Sequence, residues 1–552
     1  MYLICYFVVI MSNKNNSSKY FILITVAVFF GMVLGATYQQ NKENGLLKRL
    51  PSLSLNKTEK VAKILKVIKN NYVDSINTDS LEELAINDIL NSLDPHTIYL
   101  PPIEAKNQNE SLEGNFEGIG IEYYILNDTL FVTHVRKGGP SFKAGLKRGD
   151  KIITVNQEEL NTKGLLTENI VNKLRGKRGS KVNVTVKREG IKKDISIDII
   201  RDKITVSSID ASFLLTKEIG YIKISRFGAS TATEFEDELT KLKKTGINNL
   251  ILDLRGNGGG YLSAATAIAD QFLPENKLIV FTKGLHEPRT DYTATANGMF
   301  ENGKLIILVD EGTASASEIV AGAIQDLDRG TIIGRRSFGK GLVQEQFAFE
   351  DGSAMNLTVA RYYTPSGRSI QKSYSNGKDA YYDEINKRFN HGDYSSLDSS
   401  INDTLFIKAV KFKTAKGRTV YSAGGILPDI FIALDTTMVT PFFKKVTEKG
   451  LINEYVYNYL TKKIKSANYA NAADFVNRFN LSPQDYNQFL NFCNRKKIEI
   501  DLKSTKISKQ IIAIQIEALL AKFYFGDEGF YRAINADDDF VVKAIQKIKN
   551  PA

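Results

Sequence analysis

The chain has 552 residues, 43% of them hydrophobic and 24% charged, which exceeds a single core and excludes a disordered or fibrous chain. Its formal net charge is +11, but the 73 basic residues are spread among 62 acidic ones. With no run of five or six basic residues, the excess reads as a solvated surface and not as a nucleic-acid footprint. The two cysteines, Cys5 and Cys493, exclude a disulfide framework and a cysteine-built zinc site. H-E-x-x-H is also missing, so no metal and no cofactor is expected.

At the N-terminus, Lys14 and Lys19 precede an apolar stretch from Tyr20 to Ala36. A positive segment ahead of a hydrophobic one is the pattern of an export signal, and this one is just long enough to span a bilayer. Leu34-Gly35-Ala36 is a poor small-x-small cleavage site, so residues 1–37 are expected to remain as a signal anchor. The body would then sit on the far side of a cell inner membrane as a single-pass protein, in the periplasm of a Gram-negative host. Residues 38–56 are polar and read as a linker.

Residues 57–100 read as helical, with apolar residues recurring at helical spacing (Val61, Ile64, Leu65, Ile68, then Leu81, Leu84, Ile86, Ile89, Leu90) until Leu93-Asp94-Pro95-His96 stops the pattern. Residues 101–203 have β character: Thr129 to Val135 and Lys181 to Arg188 alternate, and Lys151 to Val155 is a short strand. Across 204–437 strands and helices alternate, which argues for a layered α/β domain. Within it, residues 373–403 are Ser/Asn/Asp-rich and read as a mobile loop. Residues 438–552 return to helical spacing, with Ile512, Ile516, Leu519 and Leu520 on one face.

Two glycine segments invite nucleotide-binding readings. Gly334-Arg335-Arg336-Ser337-Phe338-Gly339-Lys340 has phosphate-loop spacing, but Gly341 stands where Ser or Thr would hold magnesium. Residues Leu342 to Phe347 then alternate like a strand, whereas a phosphate loop must open a helix. Gly256-Asn257-Gly258-Gly259-Gly260 lacks the third glycine of a dinucleotide fingerprint, since Tyr261 is there. A strand nonetheless enters this loop and a helix leaves it. Its N–H groups can therefore converge on an anion, including a transient oxyanion.

The segment Val309 to Ile319 runs from a strand into a helix. Ser315 and Glu318 form an S-x-x-E capping box, which alone would explain the serine. Lys340, flanked by Gly339 and Gly341, is a poor surface lysine. A lysine whose pKa is lowered by burial can serve as the base for a serine nucleophile. Gln344 lies four residues on, on the same face of an extended segment, where it could orient Lys340 or the serine hydroxyl. The four histidines, His96, His134, His286 and His391, sit in no recognisable nucleophile elbow. A Ser–His–Asp triad therefore stays an alternative at this level.

Glu311-Gly312-Thr313-Ala314-Ser315-Ala316-Ser317-Glu318-Ile319 together with Phe338-Gly339-Lys340-Gly341-Leu342-Val343-Gln344 resembles the active-site signature of the carboxy-terminal processing peptidases, the S41 serine peptidases. The resemblance implies Ser315 as nucleophile, Lys340 as base and Gln344 as supporting residue. It implies an oxyanion hole from Gly259 or Gly260 with the N–H of Ala316, although Gly256 to Gly260 departs from the family's N-N-P-G-G. Leu93-Asp94-Pro95-His96-Thr97, Arg361 to Gln371 and Gly424 to Asp429 match further family segments. Phe116-Glu117-Gly118-Ile119-Gly120-Ile121 resembles the carboxylate-binding loop of PDZ domains, and Pro140 to Ile152 resembles a second PDZ segment. Gly118, Ile119, Gly120 and Ile121 are thereby implied in binding substrate tails.

The resemblance implies an α/β, crotonase-like serine protease core over 204–437, a β-rich PDZ domain over 101–203, and helical regions at both ends. The activity implied is endopeptidase cleavage of exported proteins near C-terminal tails, through a Ser–Lys dyad. The partners implied are proteins or peptides with accessible C-terminal tails and the membrane through the anchor, with no nucleic acid and with room for a homo-oligomer. The competing reading is a catalytically idle, membrane-tethered PDZ scaffold.

Overall fold

The computed structural model describes residues 60–126, 129–160, 167–396, 409–422 and 424–550. The expected anchor and linker lie outside these residues. Among the described residues no helix is long and apolar enough to cross a membrane. The chain divides into two units between Ile86 and Asn87. The first contains α1 (Lys60–Asn71) and most of α2 (Thr78–Asn91), the helices that the apolar spacing predicts. In α1, Val61, Ile64 and Val67 are exposed.

The second unit begins with β1 (Ile98–Leu100), α3 (Pro102–Glu113) and β2 (Asn115–Gly118). The PDZ-like sheet comes next in the chain. Its strands β3 (Ile121–Leu126), β4 (Thr129–Val135), β5 (Lys151–Val155), β6 (Lys181–Lys187) and β7 (Ile195–Ile200) are neighbours in that order. All pair antiparallel, and α4 (Thr167–Leu174) precedes β6. Alternation sets the inner face: Val182, Val184 and Val186 are fully buried while Lys181 and Lys187 are exposed. β8 (Asp202–Thr205) returns to pair with β2.

The α/β core contains β9 (Ile209–Leu214), β10 (Ile219–Ile224), α5 (Thr231–Lys244), β11 (Asn249–Asp253), α6 (Leu262–Asp270), β12 (Leu278–Lys283), β13 (Thr290–Thr293), β14 (Lys304–Val309), α7 (Ala316–Asp326) and β15 (Thr331–Gly334). β16 (Leu342–Ala348), β17 (Ala354–Tyr363), α8 (Lys378–His391) and β18 (Ile430–Phe431) follow, with a small separate hairpin of Lys411–Lys413 and Thr419–Tyr421 before β18. The main sheet runs β9-β10-β11-β14-β15-β18, antiparallel at β9–β10 and parallel beyond. Strands covered on both faces become continuously apolar, and all six residues of β10 are buried. Phe235, Leu239, Ile268, Phe272, Ile319 and Ile324, from α5 to α7 and the loop after α6, form the core on one face. β16 and β17 form a hairpin, and β1 and β12 pair with the other edge of β17.

The C-terminal helices end in α9 (Lys509–Asn535) and α10 (Asp539–Lys549). Ile512, Ile516 and Leu520 are fully buried, as the spacing predicts, in a core that also takes in Leu126 and Phe131 of the PDZ sheet. One reading needs correction. The polar stretch 373–403 is not loop throughout, because 378–391 form α8. Its inward positions are Tyr381, Glu384 and Arg388, so the helix is fixed by polar side chains that a hydrophobic pattern cannot register.

Candidate active site

Ser315 stands where β14 has ended and α7 begins, at φ 55° and ψ −117°. A non-glycine residue in such a conformation costs of order 1–3 kcal/mol and persists only where its surroundings fix it. Here they do. Its N–H donates to Glu318 Oε2 at 2.8 Å, and its carbonyl accepts from the Tyr362 hydroxyl at 3.1 Å and from the Glu318 and Ile319 N–H groups at 2.8 and 3.0 Å.

Glu318 is fully buried and ties the serine to the lysine. Besides the Ser315 N–H, its carboxylate accepts from Ser337 Oγ at 2.5 Å, Gly339 N–H at 2.8 Å and Lys340 N–H at 2.9 Å. Burial raises its pKa to about 7, against the lowering effect of those hydrogen bonds. Tyr362 adds a second tie, because its hydroxyl also donates to the Lys340 carbonyl. Ser315, Ala316, Lys340, Gln344, Gly258, Gly259 and Gly260 all line one cavity of about 550 Å³, with Leu262, Ile319 and Leu342 as apolar wall.

Lys340 Nζ has no ion-pair partner among the described residues. Burial lowers its pKa, with the Asp94 and Glu318 carboxylates opposing. Gln344 donates from Nε2 to Thr358 Oγ1 at 3.1 Å. Thr358 N–H in turn donates to Thr97 Oγ1 at 3.2 Å, and Thr97 Oγ1 donates to Asp94 Oδ2 at 2.6 Å. Leu93-Asp94-Pro95-His96-Thr97 is thus part of the site's support, a role its sequence position does not reveal. Of the four histidines only His96 lines this cavity. Burial and then Lys340 push its pKa down to about 3, and its Nε2 lies 2.8 Å from the Tyr381 hydroxyl. The imidazole is therefore neutral and a weak base.

The glycine loop packs directly behind the serine. A Cβ on Gly259 would lie 2.8 Å from Ser315 Cβ, and one on Gly260 would lie 2.1 Å from the Phe227 carbonyl oxygen, so both positions require glycine. The two candidate donors differ. Gly259 N–H already donates to Asn257 Oδ1 at 2.9 Å. The N–H groups of Gly260 and Ala316 have no acceptor among the described residues, and the same holds for Gly258.

Sequence reasoning missed the groups that hold the lysine from below. Arg388 on α8 donates to the Ser337 and Phe338 carbonyls at 2.7 and 3.1 Å and to Glu384 at 2.6 Å. Lys372 Nζ lies 3.9 Å from the centre of the Phe338 ring and donates to Glu384 at 3.0 Å. The spacing Tyr381, Glu384, Arg388 on one helical face was the available signal.

In the PDZ-like domain, Gly118 closes β2 and Gly120 has φ 74°. The Ile119 and Gly120 N–H groups have no acceptor among the described residues, while Ile121 joins β3 opposite Val135. Phe116 and Arg175 beside this loop line a second cavity of about 370 Å³. Ser111 and Arg226 line both this cavity and that of Ser315.

Comparison with known proteins agrees with this division. Residues 218–377 match the model of peptidase family S41, residues 118–199 a PDZ domain, and residues 442–526 a family of unknown function. A probable CtpA-like serine protease of Staphylococcus aureus is 36% identical over 354 residues, 63% of this chain and 68% of the relative. The carboxy-terminal processing protease CtpB of Bacillus subtilis is 35% identical over 317 residues, 57% of this chain and 65% of the relative. Among solved structures, the photosystem II D1 C-terminal processing protease is 28% identical, covering 57% of this chain and 90% of that one, with a TM-score of 0.33. The peptide-bound PDZ domain of a Vibrio cholerae carboxy-terminal protease is 31% identical over 17% of this chain and 99% of that one, with a TM-score of 0.15. With Ser315, Lys340 and Gln344 all inside the S41 match, and with identity of this level over two thirds of a relative, the chain belongs to the S41 carboxy-terminal processing proteases that carry a PDZ domain.

Proposed function

We propose that the chain is a serine endopeptidase in which Ser315 is the nucleophile and Lys340 its general base. The carrying observation is the shared carboxylate of Glu318, which accepts from the backbone of both residues beside one cavity. Neutral Lys340 takes the Ser315 Oγ proton as the oxygen attacks the scissile carbonyl. It then gives that proton to the leaving amine as the tetrahedral intermediate collapses to an acyl-enzyme. Water repeats the sequence and releases the new C-terminus. The N–H groups of Gly260 and Ala316 hold the oxyanion, a contribution typically worth about 10²–10³-fold per donor, and Gln344 orients the lysine side of the cavity. His96 is a poor alternative base, since an imidazole titrating at about 3 binds the serine proton too weakly.

The PDZ loop at Gly118 to Ile121 would take the substrate's terminal carboxylate on its N–H groups, with an extended tail along β3. Ser111 and Arg226, common to both cavities, mark a route from there to Ser315. The lysines ahead of Tyr20–Ala36 support an inner-membrane anchor with the catalytic body extracytoplasmic, so the substrates are exported proteins with accessible tails.

Ser315→Ala is the test, assayed on an unfolded protein substrate and on peptides with free or amidated C-termini. It should abolish cleavage while tail binding persists, and its stability should stay within about 1–2 kcal/mol of the wild type. Cleavage at the wild-type rate by Ser315→Ala would refute the assignment. Loss of cleavage confined to that variant would also dispose of the idle-scaffold reading.

A further inference from the structure

The C-terminal helical region reaches the peptidase core at a point that bears on the chemistry. Helix α10 lies against the second face of the main sheet, with Phe540, Val541, Ala544 and Ile548 packed among residues such as Tyr221 and Ile251. Its N-cap is Asp538, whose Oδ1 accepts the Val541 N–H at 3.0 Å. The same carboxylate also takes Arg255 Nη1 at 3.0 and 2.8 Å, and the guanidinium sits 4.6 Å from the centre of the Phe540 ring. Both side chains are only 17% exposed, a setting in which charge-assisted hydrogen bonds are strong and directional.

Arg255 is the residue from which the glycine loop starts. Its Nη2 and Nε donate to Asp253 at 2.6 and 3.1 Å, and Lys223 donates to its carbonyl. Burial alone would raise the Asp253 pKa, but Arg255 and Lys223 hold it well below the usual carboxylate range. One side of Arg255 is therefore gripped by the sheet and the other by a helix outside the peptidase domain. From there the loop has little freedom. Gly256 N–H donates to Asp310 at 2.8 Å. The Asn257 carbonyl accepts the Ala314 N–H at 3.0 Å and Ser317 Oγ at 2.9 Å.

We propose that Asp538 is a positioning residue for peptide hydrolysis: through Arg255 it holds the glycine loop in register with Ser315, so that a C-terminal helix sets the oxyanion donors. The inference rests on Gly260 and Ala316 serving as those donors. The far end of the region is anchored too. Arg148 of the PDZ domain donates to the Phe523 carbonyl and stacks 4.6 Å from that ring, and Phe131 stacks on Tyr457 at 5.5 Å. The helices therefore brace the tail-binding module and the glycine loop together.

Asp538→Asn in the full chain separates the two roles of this residue, because Asn caps a helix as well as Asp does but brings no charge to Arg255. Asp538→Ser, a second uncharged cap former, is assayed beside it so that a folded variant is read in either case. The readouts are kcat, KM and the inhibition constant of a substrate-like peptide aldehyde, whose hemiacetal oxygen needs the same donors. We expect kcat and aldehyde affinity to fall together by about 10-fold, with KM unchanged, since small misplacements of reacting groups are costly. Values of both within about 2-fold of wild type, or a fall in kcat matched by lost circular dichroism signal, would overturn the proposal. Ser315→Ala is run in the same series. If it is dead and Asp538→Asn is normal, only the positioning role fails; if it is active, the parent assignment fails.

Discussion

The two halves of the proposed catalytic cavity are built differently. The serine half is mostly local: a strand, a turn and a helix within Lys304–Asp326 place Ser315, its backbone partner Glu318 is three residues away, and Tyr362 is its one distant hydrogen-bond partner among the described residues. The lysine half is assembled from a distance. Lys340 lies in a segment between β15 and β16 that is fixed by Glu318, by Tyr362 of β17 and by Arg388 of α8. The proposed nucleophile sits mostly on one turn of chain, whereas a half-buried lysine without an ion pair among the described residues needs neighbours from the rest of the fold to hold it. Glu318, whose carboxylate takes donors from both halves, is therefore the place to break the comparison.

Glu318→Gln should have the largest effect of the supporting substitutions. One amide oxygen cannot serve all four donors, and leaving buried donors unpaired costs on the order of 3 kcal/mol in total. Activity should fall about 10²-fold through misplacement of both halves. The substitution also carries a pH signature. Because burial raises the Glu318 pKa from the ordinary 4.5 to about 7, its contribution to stability is fully present below 4.5 and is lost as pH rises through 7. Urea midpoints measured at steps from pH 4.5 to 8 should show wild type losing stability relative to Glu318→Gln across that window. A pH-independent difference between the two proteins would contradict a raised pKa.

Gln344→Ala should sharpen the comparison with a smaller effect. Gln344 donates to Thr358, at the end of a chain running back to Asp94, so under the proposed mechanism its loss disturbs orientation without removing a reacting group. A fall in kcat of about 10-fold is expected, with little change in stability because one part-buried hydrogen bond is worth roughly 1 kcal/mol. Thr358→Val should reproduce part of it. A Gln344→Ala enzyme as impaired as Ser315→Ala would mean that the glutamine takes part in the chemistry.

The same division explains what the sequence could reveal. Strands with alternating or continuous apolar residues, such as Lys181–Lys187 and Ile219–Ile224, were legible because burial alone selects their side chains. The turn carrying Ser315 and the segment carrying Lys340 were legible as joint motifs, and their Leu342–Ala348 continuation as strand matches the alternation that argued against a phosphate loop. Helix α8 carried only the helical spacing of Tyr381, Glu384 and Arg388, polar residues whose inward direction shows only once Arg336 and Lys372 are seen to converge on Glu384. Helix α3 escaped for a related reason, since Ala105 is its one fully buried side chain. At the glycine loop, the family resemblance left Gly259 and Gly260 as alternatives. Only the Asn257 side chain, folded back onto Gly259 N–H, distinguishes them.

The most direct test of the central claim is the pH dependence of kcat/KM for wild type beside Lys340→Arg, with folding checked by circular dichroism. Burial lowers the Lys340 pKa, and under the proposed mechanism the lysine must be neutral to accept the serine proton. Wild-type activity should therefore rise with pH and level off once the lysine is deprotonated. Lys340→Arg keeps the positive charge but cannot shed its proton near neutrality, so a folded Lys340→Arg protein should be inactive at every pH examined. A folded Lys340→Arg enzyme working near the wild-type rate, with the same rising limb, would show that another group takes the proton from Ser315.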